Sequence, residues 1–447
     1  MALSIEGPGD LSTPSGDHIE LVGADVVSAS AFDVDGLIVE TAHHAIASID
    51  SFGSTRGLSP LRRTLDREHL LAYSTTFVEV DDAPVPAWAE LSGVYPTAGG
   101  RHLQIHCNFD HHADGVVARL GCSADRDAVA AAIAERDAFE LEAELIADGM
   151  IGAAVRTIDE WNAHPHRHAT SGLPVMSVEQ LGDAPAMPAA PPSDRPLAGV
   201  RVLDCSRVLA GPVAGQLLAD AGADVLRIGA DHLPSIPVGV MSTGFGKRNT
   251  SIDLRTSAGC EVFADLVAGA DVLIDAFRPG ALAGQGFDLE RLTAIRPSIV
   301  VVQISAFDWV GPWAGRRGFD SIVQSTTGVR WAGGRFANGR TEPVGLPVQA
   351  LDYATGFVAA GMAAQLLEHQ RRVGGSWLGR TSLLRMRDRL VRRREPQPYV
   401  PAAVEVDPRF LQETDSAFGR LRTVRSFAAA SAAAPMPLGS SPAAWNR

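Results

Sequence analysis

Residues 197–253 constrain the fold most, because a short apolar strand, a loop, a helix, a second strand and a glycine-rich turn follow one another there. Val200, Val202 and Leu203 make the first strand, which ends at Asp204. Residues 205–211 read as a loop, and Pro212 suits the first turn of a helix, where a missing N–H has no partner to lose. Leu217, Leu218 and Ala221 recur at helical spacing, Gly222 stops the helix, and residues 223–228 read as the next strand. This is a βαβ unit of the Rossmann-like kind. Such sheets take ligands at the carboxyl ends of their strands, so the 207–211 loop is the first place to look for a site.

The loop carries no dinucleotide fingerprint. Gly211 and Gly215 do not make G-x-G-x-x-G, Gly229 stands where an acid would meet a ribose, and there is no P-loop. Instead Gly244-Phe245-Gly246-Lys247-Arg248 precedes a strand at 251–254, offering close backbone approach, a point charge and a planar fork to a phosphate. The alternative is an ordinary glycine turn with solvated charges. Further on, residues 271–275 and 299–305 read as strands with the apolar runs 272–274 and 299–302, the pattern of strands covered by helices on both faces. Their ends bring Phe277, Arg278, Ser305 and Ala306 to the edge where Val208, Leu209 and Ala210 lie. The fold class predicted is α/β, a Rossmann-like, mostly parallel sheet with flanking helices.

A smaller α+β domain is predicted on the N-terminal side. Residues 94–95 and 103–107 flank a glycine turn and read as a hairpin. Ser123 is placed to cap a helix through Val129 and Ile133, a second helix carries Phe139, Leu141 and Leu145, and Thr157 to Glu160 forms a capping box. His102, His106, His111 and His112, and the alternating His164, His166 and His168, have no acid interleaved at ligand spacing, so they are assigned to packing or surface and no metal is expected. The boundaries read as a loose tail at 1–20, the smaller domain at 21–181, a Pro/Ala linker at 182–196, the Rossmann-like domain at 197–393 and a mostly irregular tail at 394–447.

Composition excludes several classes. No apolar run approaches the ~20 residues of a membrane span, and the N-terminus lacks a basic-then-apolar leader, so a soluble, unexported chain is expected. Four cysteines without metal or disulfide spacing fit a reducing cytoplasm. A formal net charge of -13 argues against nucleic acid, and the basic run from Arg385 to Arg394 reads as a solvated helix face.

Seven segments carry a resemblance: 196–204 (PLAGVRVLD), 207–212 (RVLAGP), 217–225 (LLADAGADV), 246–248 (GKR), 270–274 (ADVLI), 277–280 (FRPG) and 318–320 (GFD). In that order they resemble the family III CoA-transferases, which include formyl-CoA transferase, carnitine CoA-transferase and the α-methylacyl-CoA racemases. The resemblance spans roughly residues 196–380. It implies that Val208, Leu209 and Ala210 lie against coenzyme A, that Gly246, Lys247 and Arg248 border its phosphates, and that Phe277, Arg278, Ser305 and Ala306 wall the same cleft. Coenzyme A would be a substrate, as its thioester, and not a tightly bound cofactor. Residues 91–101 and 152–161 resemble the smaller domain that ordinarily follows the CoA-binding half in that family; here it comes first, as in a permuted arrangement or, the preferred reading, a remnant of two fused copies. The resemblance also implies a homodimer.

It further implies a nucleophilic aspartate, which attacks the thioester and passes through an anhydride to an aspartyl-CoA thioester. The matching loop, residues 333–343, contains no aspartate; Asn338-Gly339 stands nearest the expected place, and an amide cannot form the anhydride. The racemases' histidine position is Phe319. The carboxylates left as candidates are Asp320, Glu342 and Asp352, though Asp320 and Asp352 equally suit helix caps. The function expected is CoA transfer between acyl-CoA thioesters and carboxylic acids; the alternatives are a catalytically silent CoA-binding protein, or a racemase or lyase on the same scaffold.

Overall fold

A computed structural model describes residues 13–25, 28–187, 193–337, 340–393, 395–397, 399, 402–428 and 432–446. Its centre is a seven-stranded sheet. From one edge to the other the strands are Arg248–Ser251, Asp224–Gly229, Arg201–Cys205, Val272–Asp275, Val300–Ser305, Ser376–Ser382 and Ser177–Gly182. The first six are parallel and the seventh antiparallel. The register sets Leu203 beside Leu226 on one side and Leu273 on the other. Taken in chain order the six parallel strands run 3-2-1-4-5-6 across the sheet, the Rossmann order. The order reverses between Arg201–Cys205 and Val272–Asp275, so the loops leaving these two strands diverge and open a crevice.

Both faces are covered, as the apolar runs of the central strands require. Phe263, Leu266 and Val267 of helix Ser257–Ala268 and Leu292 of helix Leu289–Ile295 close one face. On the other, helices Ala210–Asp220 and Ala350–Val373 bury Val213, Leu217, Phe357, Val358 and Leu366 with the strands' Val202, Ile274 and Val302. Gly356 makes this packing close: a Cβ there would lie 2.6 Å from the Ala210 carbonyl.

Three boundaries differ from the sequence expectation. Residues 34–54 fall within the smaller domain predicted at 21–181, but they form helix Val34–Ser54, which packs on Ala350–Val373 inside the main core, with Leu37, Ile38 and Phe52 buried. The strand Ser177–Gly182 joins the main sheet. The small α+β unit is therefore narrower: strands Gly93–Pro96, His102–Ile105 and Gly152–Ala154 with helices Asp110–Leu120, Arg126–Ala134 and Ala138–Ala147 around Leu103, Ile105, Val116, Ile133 and Leu141. Asp125, not Ser123, caps Arg126–Ala134, whereas the Thr157/Glu160 capping box forms as read.

The tail at 394–447 is not irregular throughout. Strands Leu411–Ser416 and Gly419–Val424 pair with each other, and the latter pairs with Val78–Val80. Their partner lies too far away in sequence for local pattern to reveal it. Residues 432–446 then run along the edge strand Arg248–Ser251, where the Ser441 amide donates to the Asn249 carbonyl at 2.7 Å and the Asn249 amide to the Ser441 hydroxyl at 3.1 Å. The basic run is not a solvated face either. On helix Leu383–Arg393, Arg385 is buried against Asp308, and Arg389 and Arg393 both reach Glu40. Among the described residues no helix is long and apolar enough to cross a membrane.

Candidate functional site

A cavity of about 680 Å³ runs along the carboxyl ends of the six parallel strands. At ~4.8 Å between neighbours, five spacings give it a reach of roughly 24 Å. Residues Ile252, Leu254 and Arg255 beyond the edge strand line one end, followed by Ile228, Gly229 and Ala230, then 207–211, 276–279, 304–306 and finally Leu383 beyond Ser376–Ser382. The small unit closes the cavity from above with Phe109, His111 and His112.

The loop at the switch point is held in a costly conformation. Val208 has φ +70, a left-handed value that a β-branched residue adopts at a cost of order 1–3 kcal/mol. Its carbonyl is accommodated because Gly239 has no side chain: a Cβ there would meet that oxygen at 2.8 Å. This turn delivers Leu209 as the N-cap of helix Ala210–Asp220 with no side-chain cap, so backbone N–H groups of the first turn are left for a ligand.

Of the residues named from sequence, Val208, Leu209, Ala210, Phe277, Arg278, Ser305, Ala306 and Asp352 all line this cavity. Gly246, Lys247 and Arg248 do not. Gly246 and Lys247 precede the Arg248–Ser251 strand and Arg248 opens it, so their backbone stands at the amino end of the edge strand. Lys247 is folded inward, its Nζ 2.9 Å from Asp204 and 3.0 Å from the Pro212 carbonyl, and Arg248 grips Asp224. Both cations support structure.

The three candidate carboxylates also separate. Asp320 is fully buried and does not line this cavity; it accepts from the Gln324 side chain and from the backbone amides of Leu351, at 2.8 Å, and Asp352, at 3.0 Å. It caps not its own helix, as the sequence suggested, but the start of Ala350–Val373. Glu342 sits in a two-stranded hairpin, paired with Arg335 at 2.8 Å and outside the cavity. Asn338-Gly339 lie outside the described residues. Asp352 alone of the three faces the cavity. Burial first, and then the neighbouring Asp320 charge, push its carboxyl well above the ordinary carboxylate range.

The sequence reading missed most of the cavity's charge. Arg207, Arg255, Arg316 and Arg317 line it beside Arg278. Arg316 is spoken for, 2.9 Å from Glu142, with its guanidinium 4.1 Å from the centre of the Trp313 ring. Arg255 pairs with Asp253 at 2.8 Å. Arg207 and Arg317 have no carboxylate partner among the described residues, and burial, then Arg227 and Arg317, lower the Arg207 guanidinium to about 10. Arg316 and Arg317 immediately precede the 318–320 segment, a signal within the sequence that could have marked them. His111 and His112, read as packing or surface residues, stand on the cavity wall.

Residues 197–385 match the family model described as CoA-transferase family III. Succinate–glutarate CoA-transferase of Agrobacterium fabrum is 36% identical over 201 residues, 40% of this chain and 48% of that protein. An acyl-CoA transferase of Gibberella moniliformis is 28% identical over 319 residues, 65% of this chain and 55% of that protein. A crystal structure of a hypothetical protein from Mycobacterium tuberculosis is 28% identical, with a TM-score of 0.41, covering 44% of this chain and 58% of that one. The chain spans about half the length of the curated relatives it matches.

Proposed function

We propose, from the premise that residues 197–385 belong to CoA-transferase family III, that this protein binds an acyl-CoA thioester along its strand-end cavity and transfers CoA to a carboxylic acid. The observation that carries this reading is the cavity itself, long enough for an extended CoA and bounded by Asp352. Apolar Ile228, Ile252, Leu254 and Leu282 offer a slot for an adenine; Arg255, Arg278 and the uncapped helix start at Ala210 suit phosphates.

In this reading Asp352 is the nucleophile. Its carboxylate oxygen attacks the thioester carbonyl and the C–S bond breaks, leaving an acyl-aspartyl anhydride and CoA thiolate. The thiolate attacks the aspartyl carbonyl and releases the acyl group as its carboxylate, giving an aspartyl-CoA thioester that the acceptor acid reverses. Only ionised Asp352 can begin this sequence, and its carboxyl holds its proton above the ordinary range. Activity should therefore be lost as pH falls and climb toward alkaline pH.

Incubation with acyl-CoA followed by hydroxylamine or borohydride tests the covalent step: modification at Asp352, found by peptide mass mapping, is the expected result. No modification with a broad acyl-CoA panel would leave the second reading, a catalytically silent CoA-binding protein, which the missing loop aspartate and the raised Asp352 carboxyl favour. The reading includes a cytoplasmic homodimer. Free Cys107, Cys122, Cys205 and Cys260 support a reducing compartment; cell fractionation and light scattering on the purified protein test compartment and dimer.

A further inference from the structure

Lys247 is the only lysine in the chain, against 38 arginines. Its side chain is 1% exposed and lies outside the strand-end cavity. The ammonium donates to the Asp204 carboxylate at 2.9 Å and to the Pro212 carbonyl at 3.0 Å. Asp204 stands at the end of strand Arg201–Cys205 and Pro212 in the first turn of helix Ala210–Asp220, so one nitrogen ties together the two sides of the switch-point loop. The other Asp204 oxygen accepts from the Ser206 hydroxyl, and Arg227 donates to the Ser206 carbonyl at 3.3 Å. The turn that carries the strained Val208 is thus held by groups that do not themselves line the cavity. The slot that takes the lysine is narrow. A Cβ at Gly215 would lie 2.6 Å from the Asp204 carboxylate and 3.4 Å from Lys247 Cδ, and the space left between Lys247, Val208 and Arg227 is about 10 Å³, enough for one water. A guanidinium is planar and one bond longer, which explains why the one lysine stands here.

We propose that Lys247 is a positioning residue for bound CoA: from outside the cavity it holds the 205–211 turn in the conformation that presents the uncapped N–H groups of helix Ala210–Asp220 to a phosphate. The proposal rests on the CoA-thioester reading above and gives that binding a residue which touches no ligand. The glycine turn before the lysine serves the same end. Gly246 has φ +71 and the Lys247 amide donates to the Gly244 carbonyl at 3.2 Å, so the chain turns and the lysine enters the slot. A buried ion pair is a weak stabiliser, because desolvation offsets the attraction; what it supplies here is a fixed geometry. The left-handed value at Val208 is disfavoured, so a loop released from Asp204 and Pro212 occupies it only part of the time, and the apparent affinity falls by that fraction.

Calorimetry with free CoA, run well below each variant's melting temperature, tests this. Lys247→Met keeps the bulk of the side chain and removes the tie, and should weaken CoA by about tenfold or more. Because it also strands a buried carboxylate, it is compared with Asp204→Asn/Lys247→Met, which should recover most of the melting temperature and still bind CoA about tenfold more weakly than wild type. Affinity that returns together with the melting temperature makes Lys247 a stabiliser alone and overturns the proposal, as does binding within about threefold of wild type in the single variant. Lys247→Arg keeps the charge and should also weaken CoA; wild-type affinity there overturns the argument from fit. Hydrogen exchange without ligand gives a readout independent of CoA: amides of residues 206–211 should exchange about tenfold faster in the double variant while the central strands keep their rates, and unchanged loop rates overturn the proposal. Failure of wild type to bind free CoA would overturn the underlying reading instead, and the exchange measurement distinguishes the two.

Discussion

Two sets of arginines differ in what surrounds them. Those of helix Leu383–Arg393 are answered inside the protein: Asp308 takes Arg385, Asp388 takes Arg387, and Glu40 takes Arg389 and Arg393. Arg207, Arg278 and Arg317, on the cavity, find no acid among the described residues. In the sequence the first set is a dense run and the second is scattered over three separate segments. Burial separates the two sets: Arg385 and Arg387 are buried and need counter-charges that only folding brings to them, whereas Arg278 and Arg317 are exposed and solvated.

The largest effect expected from breaking this contrast lies in the answered set. Asp308 is buried and accepts from Arg385 at 2.5 and 3.1 Å, from the Ser382 hydroxyl at 3.0 Å and from the Trp309 amide at 3.0 Å. Asp308→Ala strands a buried guanidinium and should cost about 3–5 kcal/mol, read as a lower urea midpoint. Although burial by itself raises the Asp308 carboxyl, Arg385 holds it below the usual range, so its stabilising contribution is present at neutral pH and disappears as pH falls through the depressed value.

On the cavity side, Asp352→Asn should lower CoA transfer by about a hundredfold or more with little change in the Kd of free CoA. Retained transfer would remove Asp352 from the chemistry. The same substitution leaves the Asp320 cap of Ala350–Val373 in place, since Asp320 is held by main-chain amides, so the melting temperature should move little.

Between the two sets stands a buried acid answered only by a hydroxyl. Asp220, at the end of helix Ala210–Asp220, accepts from Ser426 at 2.6 Å, and burial pushes it up to about 7 despite that bond and the Arg195 and Lys247 charges. In the unfolded chain it ionises near pH 4, so between about pH 4 and pH 7 the folded state binds the extra proton and stability falls as pH rises. Asp220→Asn should flatten that slope and gain on the order of 2 kcal/mol at pH 8, measured as urea midpoints across the range. The smallest effect belongs to Glu342: with Arg335 and Glu342 both well exposed, Glu342→Gln should change transfer less than about threefold and stability by under about 1 kcal/mol.

Much of the sheet was legible because doubly covered parallel strands carry apolar runs through their centres. Residues 271–275 and 299–305 could hardly be anything else, and the cavity residues at their ends followed. Lys247 and Arg248 were placed on the wrong side because charge was read without asking which end of the strand it occupied. Asp320 was assigned to the helix it opens, but it serves one that begins thirty residues later, a relation that only folding creates. Arg207 stood in the loop singled out from the start; its unanswered charge depended on Phe109 and Arg317 arriving from elsewhere.

The pairing of Gly419–Val424 with Val78–Val80 bears on how the chain is made. Some 340 residues separate the two strands, so the earlier one leaves the ribosome long before its neighbour exists. At a synthesis rate of about 5–20 residues per second, Val78–Val80 waits for tens of seconds with its edge open. A chaperone that shields extended segments should matter more to the yield of this protein than to its final stability.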